Sequence, residues 1–143
     1  VIDTAWLAHL ASKEGIMVVE KIAAALNDHK KPVKESKIVV LGVAYKSDID
    51  DCRESPALDV IKLLQERGAV VSYHDPHVPS IKVEGRRYES VPNANLGAYD
   101  CVALLTNHSA FNAQKIVAEC QLIVDTRNAT LGLSDPRCQV FKA

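Results

Sequence analysis

The chain has 143 residues, of which 48% are hydrophobic, and this size and composition predict one domain with a buried core. Its 17 basic and 18 acidic residues nearly balance, which argues against nucleic acid as a partner. No apolar run approaches the ~20 residues that cross a bilayer, and no secretory signal pattern opens the chain, so we expect no membrane partner. Four cysteines without a C-x-x-C pair are typical of reduced thiols and favour a cytoplasmic location.

The first predicted element is a long helix over residues 5 to 29. Apolar side chains recur there at helical spacing, at Ile16, Val19, Ile22, Ala23 and Leu26. Pro32 ends the pattern, because proline cannot continue a helix. We therefore predict a linker helix within residues 1 to 31, followed by a domain over residues 32 to 143.

The next stretch predicts a strand, a polar loop, a helix and a second strand. Residues 38 to 41 are a continuous apolar run, as expected of a parallel strand covered on both faces. Ser55 and Pro56 open the helix, because a serine oxygen caps free N–H groups and proline tolerates the first helical position. Gly68 ends the helix, and residues 70 to 73 form the second strand.

The rest of the chain continues this alternation. A polar connection over residues 80 to 95 contains a short strand at residues 87 to 89. Further strands are predicted at residues 101 to 105, 122 to 124 and, as an edge strand, 139 to 141, with a helix at residues 112 to 120. Strands that alternate with helices predict an α/β fold, here a doubly wound Rossmann-like parallel sheet preceded by a long helix.

Polar residues crowd the loop after the first strand, which in a doubly wound sheet lies at the carboxyl edge, where ligands bind. This loop holds Lys46, Asp48, Asp50, Asp51, Arg53 and Glu54. Asp75 follows the second strand, where a dinucleotide site has its ribose-binding acid, but no glycine-rich turn accompanies it. We therefore interpret Asp75 as a turn-former with Pro76.

The five histidines include no convincing general base. His74 and His77 are close in sequence, but two histidines without further ligands are weak evidence for a metal, and we predict none. His108 follows the third strand of the predicted parallel sheet and is expected near the ligand site. Cys101 and Cys120 have apolar neighbours and are interpreted as core residues.

Four motifs occur in order along the chain: G-V-A-Y-K from Gly42, R-E-S-P from Arg53, Y-H-D-P-H-V from Tyr73 and D-T-R-N from Asp125. Together they resemble the UDP-glucose/GDP-mannose dehydrogenase family, in its C-terminal UDP-binding domain. The details of the motifs, with T-N-H after the third of the parallel strands, are most similar to the UDP-N-acetylglucosamine 6-dehydrogenase branch.

The resemblance implies a parent enzyme that oxidises C6 of a UDP-sugar twice, to the uronic acid, and reduces two NAD. The family's NAD turn, G-x-G-x-x-G, and its catalytic cysteine segment, G-x-C-x-P-K, do not occur in this sequence. We therefore expect a C-terminal piece of such an enzyme, with no catalytic residue and no activity of its own, whose NAD binds mainly to a missing N-terminal domain. The resemblance also implies a homodimer through the long helix and a role in polysaccharide biosynthesis.

The resemblance assigns a contact with the UDP-sugar, UDP-N-acetylglucosamine or UDP-glucose, to Tyr45, Lys46 and Arg127. It assigns a contact with NAD to Arg53. Each charged residue also has an ordinary alternative. Lys46 would be a solvated lysine at a strand end, and the arginines would pair with neighbouring aspartates, Asp125 in the case of Arg127.

A second function from another class stays open for the whole chain, a stand-alone, non-catalytic nucleotide-binding or dimerisation module. The complete open reading frame distinguishes the two functions. An upstream G-x-G-x-x-G turn and a glycine-flanked cysteine favour the enzyme, whereas a reading frame without them favours the module.

Overall fold

The computed structural model describes residues 4 to 44, 55 to 92, 95 to 127, 129 to 130, 132 to 133 and 138 to 142. The helices are α1 (Thr4–Asp28), α2 (Pro56–Glu66) and α3 (Ala113–Glu119). The strands are β1 (Lys37–Leu41), β2 (Val70–His74), β3 (Ser80–Val83), β4 (Arg86–Glu89), β5 (Cys101–Leu104), β6 (Leu122–Asp125) and β7 (Gln139–Lys142). A 3₁₀ turn, Leu96–Ala98, precedes β5.

Five of the described strands form one parallel sheet in the order β2-β1-β5-β6-β7. The strand β1 pairs with β2 on one side and with β5 on the other, so that Leu41 is in register with both His74 and Leu104. The chain therefore reverses its winding direction at β1. Doubly wound sheets bind ligands outside the carboxyl ends of the strands at such a reversal. The predicted α/β fold and the edge position of β7 are confirmed.

The sheet is buried on both faces. Alternate residues of β1 point to opposite sides, so Ile38 and Val40 pack with α1 and α2, whereas Val39 and Leu41 pack on the side of α3. All four side chains are at most 1% exposed. The continuous apolar run thus corresponds to a strand that is covered on both faces, as predicted.

The helix α1 packs against α2 through part of its apolar stripe. Val19, Ile22 and Leu26 are at most 1% exposed, but Ile16 is 46% exposed. The buried face continues to Gly15, where an added Cβ would lie 2.8 Å from the Cβ of Asp59 in α2. Ile16 is one residue, or about 100°, further round the helix, so it turns away from α2.

The helix α2 begins and ends where the sequence predicts. Oγ of Ser55 accepts a hydrogen bond from the backbone N–H of Ala57 at 3.2 Å, and Pro56 occupies the first helical position. Gly68 follows the helix with a φ of +85°, a left-handed conformation that glycine adopts without strain. Because α2 connects the parallel strands β1 and β2, its N-terminus lies at the carboxyl edge of the sheet.

Residues 80 to 95 hold more structure than the predicted connection with one short strand. The strands β3 and β4 form an antiparallel hairpin. Ile81, Val83 and Tyr88 are buried, and the Tyr88 hydroxyl donates to Oε1 of Gln65 in α2 at 2.6 Å. The prediction missed β3 because its apolar alternation extends over only four residues.

Candidate functional site

A cavity of about 210 Å³ opens at the carboxyl edge of the parallel sheet. Ala44 and Leu105 contribute to its wall from just beyond β1 and β5. Ser55 contributes from the N-terminus of α2, and Met17 from α1. The cavity therefore lies at the winding reversal, where the sequence predicts the ligand.

Two cations, Lys21 and Arg127, line this cavity, and its described lining contains no carboxylate. Arg127 follows β6, and its Nε donates to the backbone carbonyl of Leu105 at 3.0 Å. Lys21 projects from α1, which the sequence predicts as a linker helix, so sequence reasoning missed it. A lysine on a helix has no sequence signal of its own, and only the structure shows that Lys21 lies one helical turn after Met17 and Val18 on the cavity wall.

Asp125 holds the chain around Arg127 in place. Its Oδ1 accepts hydrogen bonds from the N–H groups of Arg127 at 2.9 Å and Ala129 at 3.2 Å. Its Oδ2 accepts from the N–H of Thr130 at 2.9 Å and from the hydroxyl of Thr130 at 2.6 Å. Asp125 thus contacts the backbone N–H of Arg127. The ordinary alternative that the sequence left open for Arg127 was a side-chain ion pair between these two residues, and the described contact is not that ion pair.

The burial of Asp125 would by itself raise the pKa of its carboxyl group. The hydrogen bonds from Thr130 and from the backbone N–H groups of Arg127 and Ala129 outweigh this effect and hold the pKa below its ordinary value. The carboxylate is therefore ionised at neutral pH. Asp125 is 1% exposed, and it accepts a hydrogen bond from the backbone N–H of Arg127, one of the two cations that line the cavity.

Asp75 forms the predicted turn and also reaches across the sheet edge. Its Oδ1 accepts from the N–H of His77 at 2.8 Å, which closes the turn. Its Oδ2 accepts from the N–H groups of Val43 at 2.9 Å and Ala44 at 3.2 Å, and lies 2.8 Å from Nε2 of His108. Asp75 therefore ties the residues that follow β1 to those that follow β2 and β5.

His108 lies near the cavity, since its partner Asp75 accepts a hydrogen bond from the cavity residue Ala44, but it is not among the described lining residues. It is 1% exposed and packs behind the strand ends, with its ring centroid 4.7 Å from that of His77 and 5.5 Å from that of Phe111. The Nε2 atom of its ring forms a hydrogen bond with Oδ2 of Asp75. Among the described residues, no group of three histidine, cysteine or acidic side chains is placed to hold a metal ion.

The described cysteines are less dispersed than the sequence suggests. Cys101 and Cys120 are buried, as predicted, but Sγ of Cys120 lies 3.2 Å from Sγ of Cys138. Burial and the nearby Asp100 raise the pKa of the Cys101 thiol to about 12. The hydrogen bond with Cys138 and burial raise the pKa of the Cys120 thiol. Both thiols are therefore expected in the protonated form at neutral pH, as is typical of buried cysteines.

The other predicted site residues, Tyr45, Lys46 and Arg53, lie outside the described residues, as do the loop aspartates. The described residues on either side, Ala44 and Ser55, both line the cavity. The described residues that flank this loop in the sequence thus both belong to the cavity wall. Within the part of the chain that the structure describes, no helix is both long and apolar enough to cross a membrane.

The described residues do not fit an NAD site of the dinucleotide-binding kind. In such a site the acid after the second strand binds ribose and a glycine-rich turn receives the pyrophosphate. Here both carboxylate oxygens of Asp75 accept hydrogen bonds from the protein itself. At Gly42 the space that a Cβ would occupy is taken by Thr106, with its Cβ and carbonyl oxygen at 2.6 Å.

The fold and the cavity define the class: a doubly wound α/β domain with a cavity, lined by two cations, at the winding reversal where domains of this kind bind nucleotides. Residues 39 to 131 match the sequence model of the UDP-glucose/GDP-mannose dehydrogenase family, UDP binding domain. The chain belongs to this family and contains its UDP-binding domain. The predicted family is confirmed.

The relatives of this chain are dehydrogenases by name. A UDP-N-acetyl-D-mannosamine dehydrogenase of Methanococcus maripaludis is 36% identical over 94 residues, which cover 66% of this chain and 21% of that protein. A UDP-glucose 6-dehydrogenase of Rhizobium meliloti is 34% identical over 115 residues, which cover 75% of this chain and 25% of that protein. The chain therefore spans about a fifth to a quarter of the length of these relatives.

Solved structures share the fold. The UDP-D-ManNAc dehydrogenase of Pyrococcus horikoshii matches 90% of this chain and 30% of its own, with a TM-score of 0.72 and 23% identity. The UDP-N-acetyl-mannosamine dehydrogenase of S. aureus matches 90% and 29%, with a TM-score of 0.66 and 25% identity. The UDP-N-acetylglucosamine branch that the motifs favour stays a prediction.

Proposed function

We propose that this chain binds the UDP part of a nucleotide-sugar for an NAD-dependent dehydrogenase that oxidises C6 to the uronic acid. The observation that carries the proposal is the cavity at the winding reversal of a UDP-binding domain, with Lys21 and Arg127 in its lining. Binding energy gathered on a distant UDP group would position the sugar for reaction elsewhere. The alternative of a stand-alone module gains no support from relatives that are dehydrogenases by name.

The chemistry of the cavity suits a nucleotide. Met17, Val60 and Leu105 give it an apolar surface that fits the face of a base or a ribose. Its two cations suit the diphosphate, and the N-terminus of α2 adds the positive end of a helix dipole. A volume of about 210 Å³ is below the ~300–1,000 Å³ of a site for a whole drug-sized ligand, so the described residues would enclose part of UDP.

The motif residues complete the proposed site. Lys46, with Tyr45 beside it, would contact UDP from the loop that begins after Ala44, and Arg127 would contact it from the end of β6. Arg53 would contact NAD that is held mainly by another domain. A guanidinium has five N–H donors, so Arg127 can keep its bond to Leu105 and still bind a phosphate.

We expect the 143-residue chain alone to have no dehydrogenase activity, because no NAD turn or nucleophile motif occurs in its sequence. The check is the absorbance of NADH after incubation with NAD and UDP-glucose, UDP-N-acetylglucosamine or UDP-N-acetylmannosamine. Formation of NADH above a protein-free blank with any of the three UDP-sugars would contradict the expectation that the chain alone is inactive.

The helix within residues 1 to 31 is proposed as the linker and dimer contact of a cytoplasmic homodimer. Ile22 is fully buried within the chain, but Ile16, which does not line the cavity, is 46% exposed on the face of α1 that turns away from α2. Light scattering would find a dimer that Ile16→Asp weakens. A monomer at high concentration would contradict the proposal.

The test of the UDP site is calorimetric titration with UDP of the protein expressed from its complete reading frame. Replacing a charged contact costs about 1.5–3 kcal/mol, so Arg127→Ala should weaken UDP binding about tenfold to a hundredfold. Arg67→Ala is the control, since Arg67 caps the far end of α2 and pairs with Glu20. Equal affinities of the two variants would contradict the proposed site.

A further inference from the structure

We propose that Asp75, Thr106 and His108 form a strand-end clamp, a set of positioning residues that holds the wall of the UDP site. The inference rests on the proposed UDP site and adds to it residues that lie outside the cavity lining. Asp75 follows β2, whereas Thr106 and His108 follow β5, so the clamp grips the end of β1 from both of its neighbours.

The clamp holds both polar backbone groups of Ala44, a residue of the cavity wall. The N–H of Ala44 donates to Oδ2 of Asp75 at 3.2 Å, and its carbonyl accepts from the hydroxyl of Thr106 at 2.7 Å. The N–H of Val43 donates to the same carboxylate oxygen at 2.9 Å. The backbone of Ala44, the last described residue before residues 45 to 54, is therefore held from two sides.

These hydrogen bonds are shielded from water. Asp75, Thr106 and His108 are 2%, 5% and 1% exposed. A carboxylate only accepts hydrogen bonds, so Nε2 of His108 carries the proton and donates to Oδ2 of Asp75. Buried hydrogen bonds that polarise one another resist disruption, and the packed ring of His108 therefore keeps the carboxylate aimed at the end of β1.

Gly42 allows the clamp to close. Its φ is +86°, and an added Cβ would lie 2.6 Å from the Cβ and carbonyl oxygen of Thr106. The missing side chain brings the ends of β1 and β5 close enough for the Thr106 hydroxyl to reach Ala44. Leu105, the residue before Thr106, receives the hydrogen bond from Nε of Arg127. The same short segment thus anchors the cavity wall and a cavity cation.

Thr106→Val is the variant that separates positioning from stability alone, because it removes the hydroxyl and keeps nearly the same shape. Ser36→Ala is the matched control. The Ser36 hydroxyl is also buried and also donates to a backbone carbonyl, that of Pro32, but it lies at the amino edge of the sheet, before β1. A merely structural role predicts that the two variants lose similar stability and bind UDP alike.

The experiment titrates UDP into the protein from its complete reading frame and records the melting temperature of each variant. We expect Thr106→Val to weaken UDP binding about tenfold. Thr106→Ser keeps the hydroxyl and should bind UDP with nearly the wild-type affinity, and Ser36→Ala should bind UDP as the wild type does. If Thr106→Val does not fold, Asp75→Asn replaces it, since an amide keeps the volume but cannot accept from all the donors around Asp75. Unchanged UDP affinity in folded Thr106→Val or Asp75→Asn would overturn the clamp.

Arg127→Ala, titrated in the same series, separates the two levels of the proposal. If Arg127→Ala weakens UDP binding and the clamp variants do not, the site stands and the clamp is wrong. If the wild-type protein fails to bind UDP, or Arg127→Ala binds it as the wild type does, the UDP site is wrong and the clamp falls with it.

Discussion

Aspartate side chains form polar contacts at both edges of the parallel sheet, but the aspartates of the two edges differ in how deeply they are buried. At the carboxyl edge, Asp75 and Asp125 are at most 2% exposed and accept hydrogen bonds from the loops that follow the strands. At the amino edge, Asp100 accepts a hydrogen bond from the N–H of Lys37 at 2.8 Å and forms an ion pair with Lys31 at 2.7 Å, but its side chain is 27% exposed. The edge that holds the cavity is thus the edge where buried carboxylates hold the backbone.

The largest expected effect is that of Asp125→Ala. The loss of the carboxylate leaves three backbone N–H groups and the Thr130 hydroxyl without their acceptor, which should lower the free energy of unfolding by about 3 kcal/mol or more. Asp100→Ala at the amino edge should cost only about 1 kcal/mol, because its ion pair with Lys31 is partly exposed and water can replace the acceptor of the exposed Lys37 N–H. Urea unfolding measures both, and equal costs would break the comparison between the edges.

Two glycines with the same backbone conformation, one at each edge of the sheet, test whether the carboxyl edge is more closely packed than the amino edge. Gly42 at the carboxyl edge and Gly68 at the amino edge have φ of +86° and +85°, so an alanine at either costs on the order of 1–3 kcal/mol in backbone strain. An added Cβ at Gly42 meets Thr106 at 2.6 Å, whereas at Gly68 it meets only the flexible side chain of Lys34 at 3.0 Å. Gly42→Ala should therefore be the more destabilising in thermal unfolding. A smaller effect than that of Gly68→Ala would show that the carboxyl edge is not closely packed.

The pH dependence of stability tests the charge on Asp125. Hydrogen bonds hold its pKa in the folded state below the ordinary value of 3.8, so its stabilising contribution is complete above pH 3.8. The contribution is lost as the pH falls through the lower pKa of the folded state. The difference in unfolding free energy between wild type and Asp125→Asn should therefore shrink from pH 7 to pH 3. A difference that grows on acidification would contradict the direction of the shift.

The smallest expected effect is the salt dependence of the amino-edge ion pair. The hydrogen bond from Lys31 lowers the pKa of Asp100 despite partial burial, and salt screens such exposed charges. The cost of Asp100→Ala should decline between low salt and 1 M salt, whereas the cost of Asp125→Ala should stay constant. Urea unfolding at both salt concentrations checks this, and parallel declines would mean that the two edges share one kind of electrostatics.

Local signals in the sequence predicted most of the fold. The apolar run of β1, the cap at Ser55 and the stop at Gly68 depend on neighbours within a few residues, and all three are confirmed. The sequence did not predict that Ile16 is exposed, because helical spacing does not say which side of a broad apolar stripe meets α2. The strand β3 was missed because four residues carry too little alternation.

The site was less predictable because its contacts join distant parts of the chain. Arg127 was found from its motif, and the structure places it at the cavity. Lys21 was not found, since a lysine on a helix has no signal of its own until the helix is packed against the sheet. Asp75 was recognised only as a turn residue, because its bond to Ala44 spans 31 residues.

The central claim is that the loop after β1 and the carboxyl edge bind UDP, and the most direct measurement is UDP affinity after Lys46→Ala. Calorimetry or protein-observed NMR would compare it, in the protein from the complete reading frame, with Lys62→Ala. Lys62 lies on the outer side of α2, 3.4 Å from Glu84, with 41% of its side chain exposed. We predict that Lys46→Ala weakens UDP binding about tenfold to a hundredfold and that Lys62→Ala binds UDP as the wild type does. Equal UDP affinities in the two variants would contradict the account.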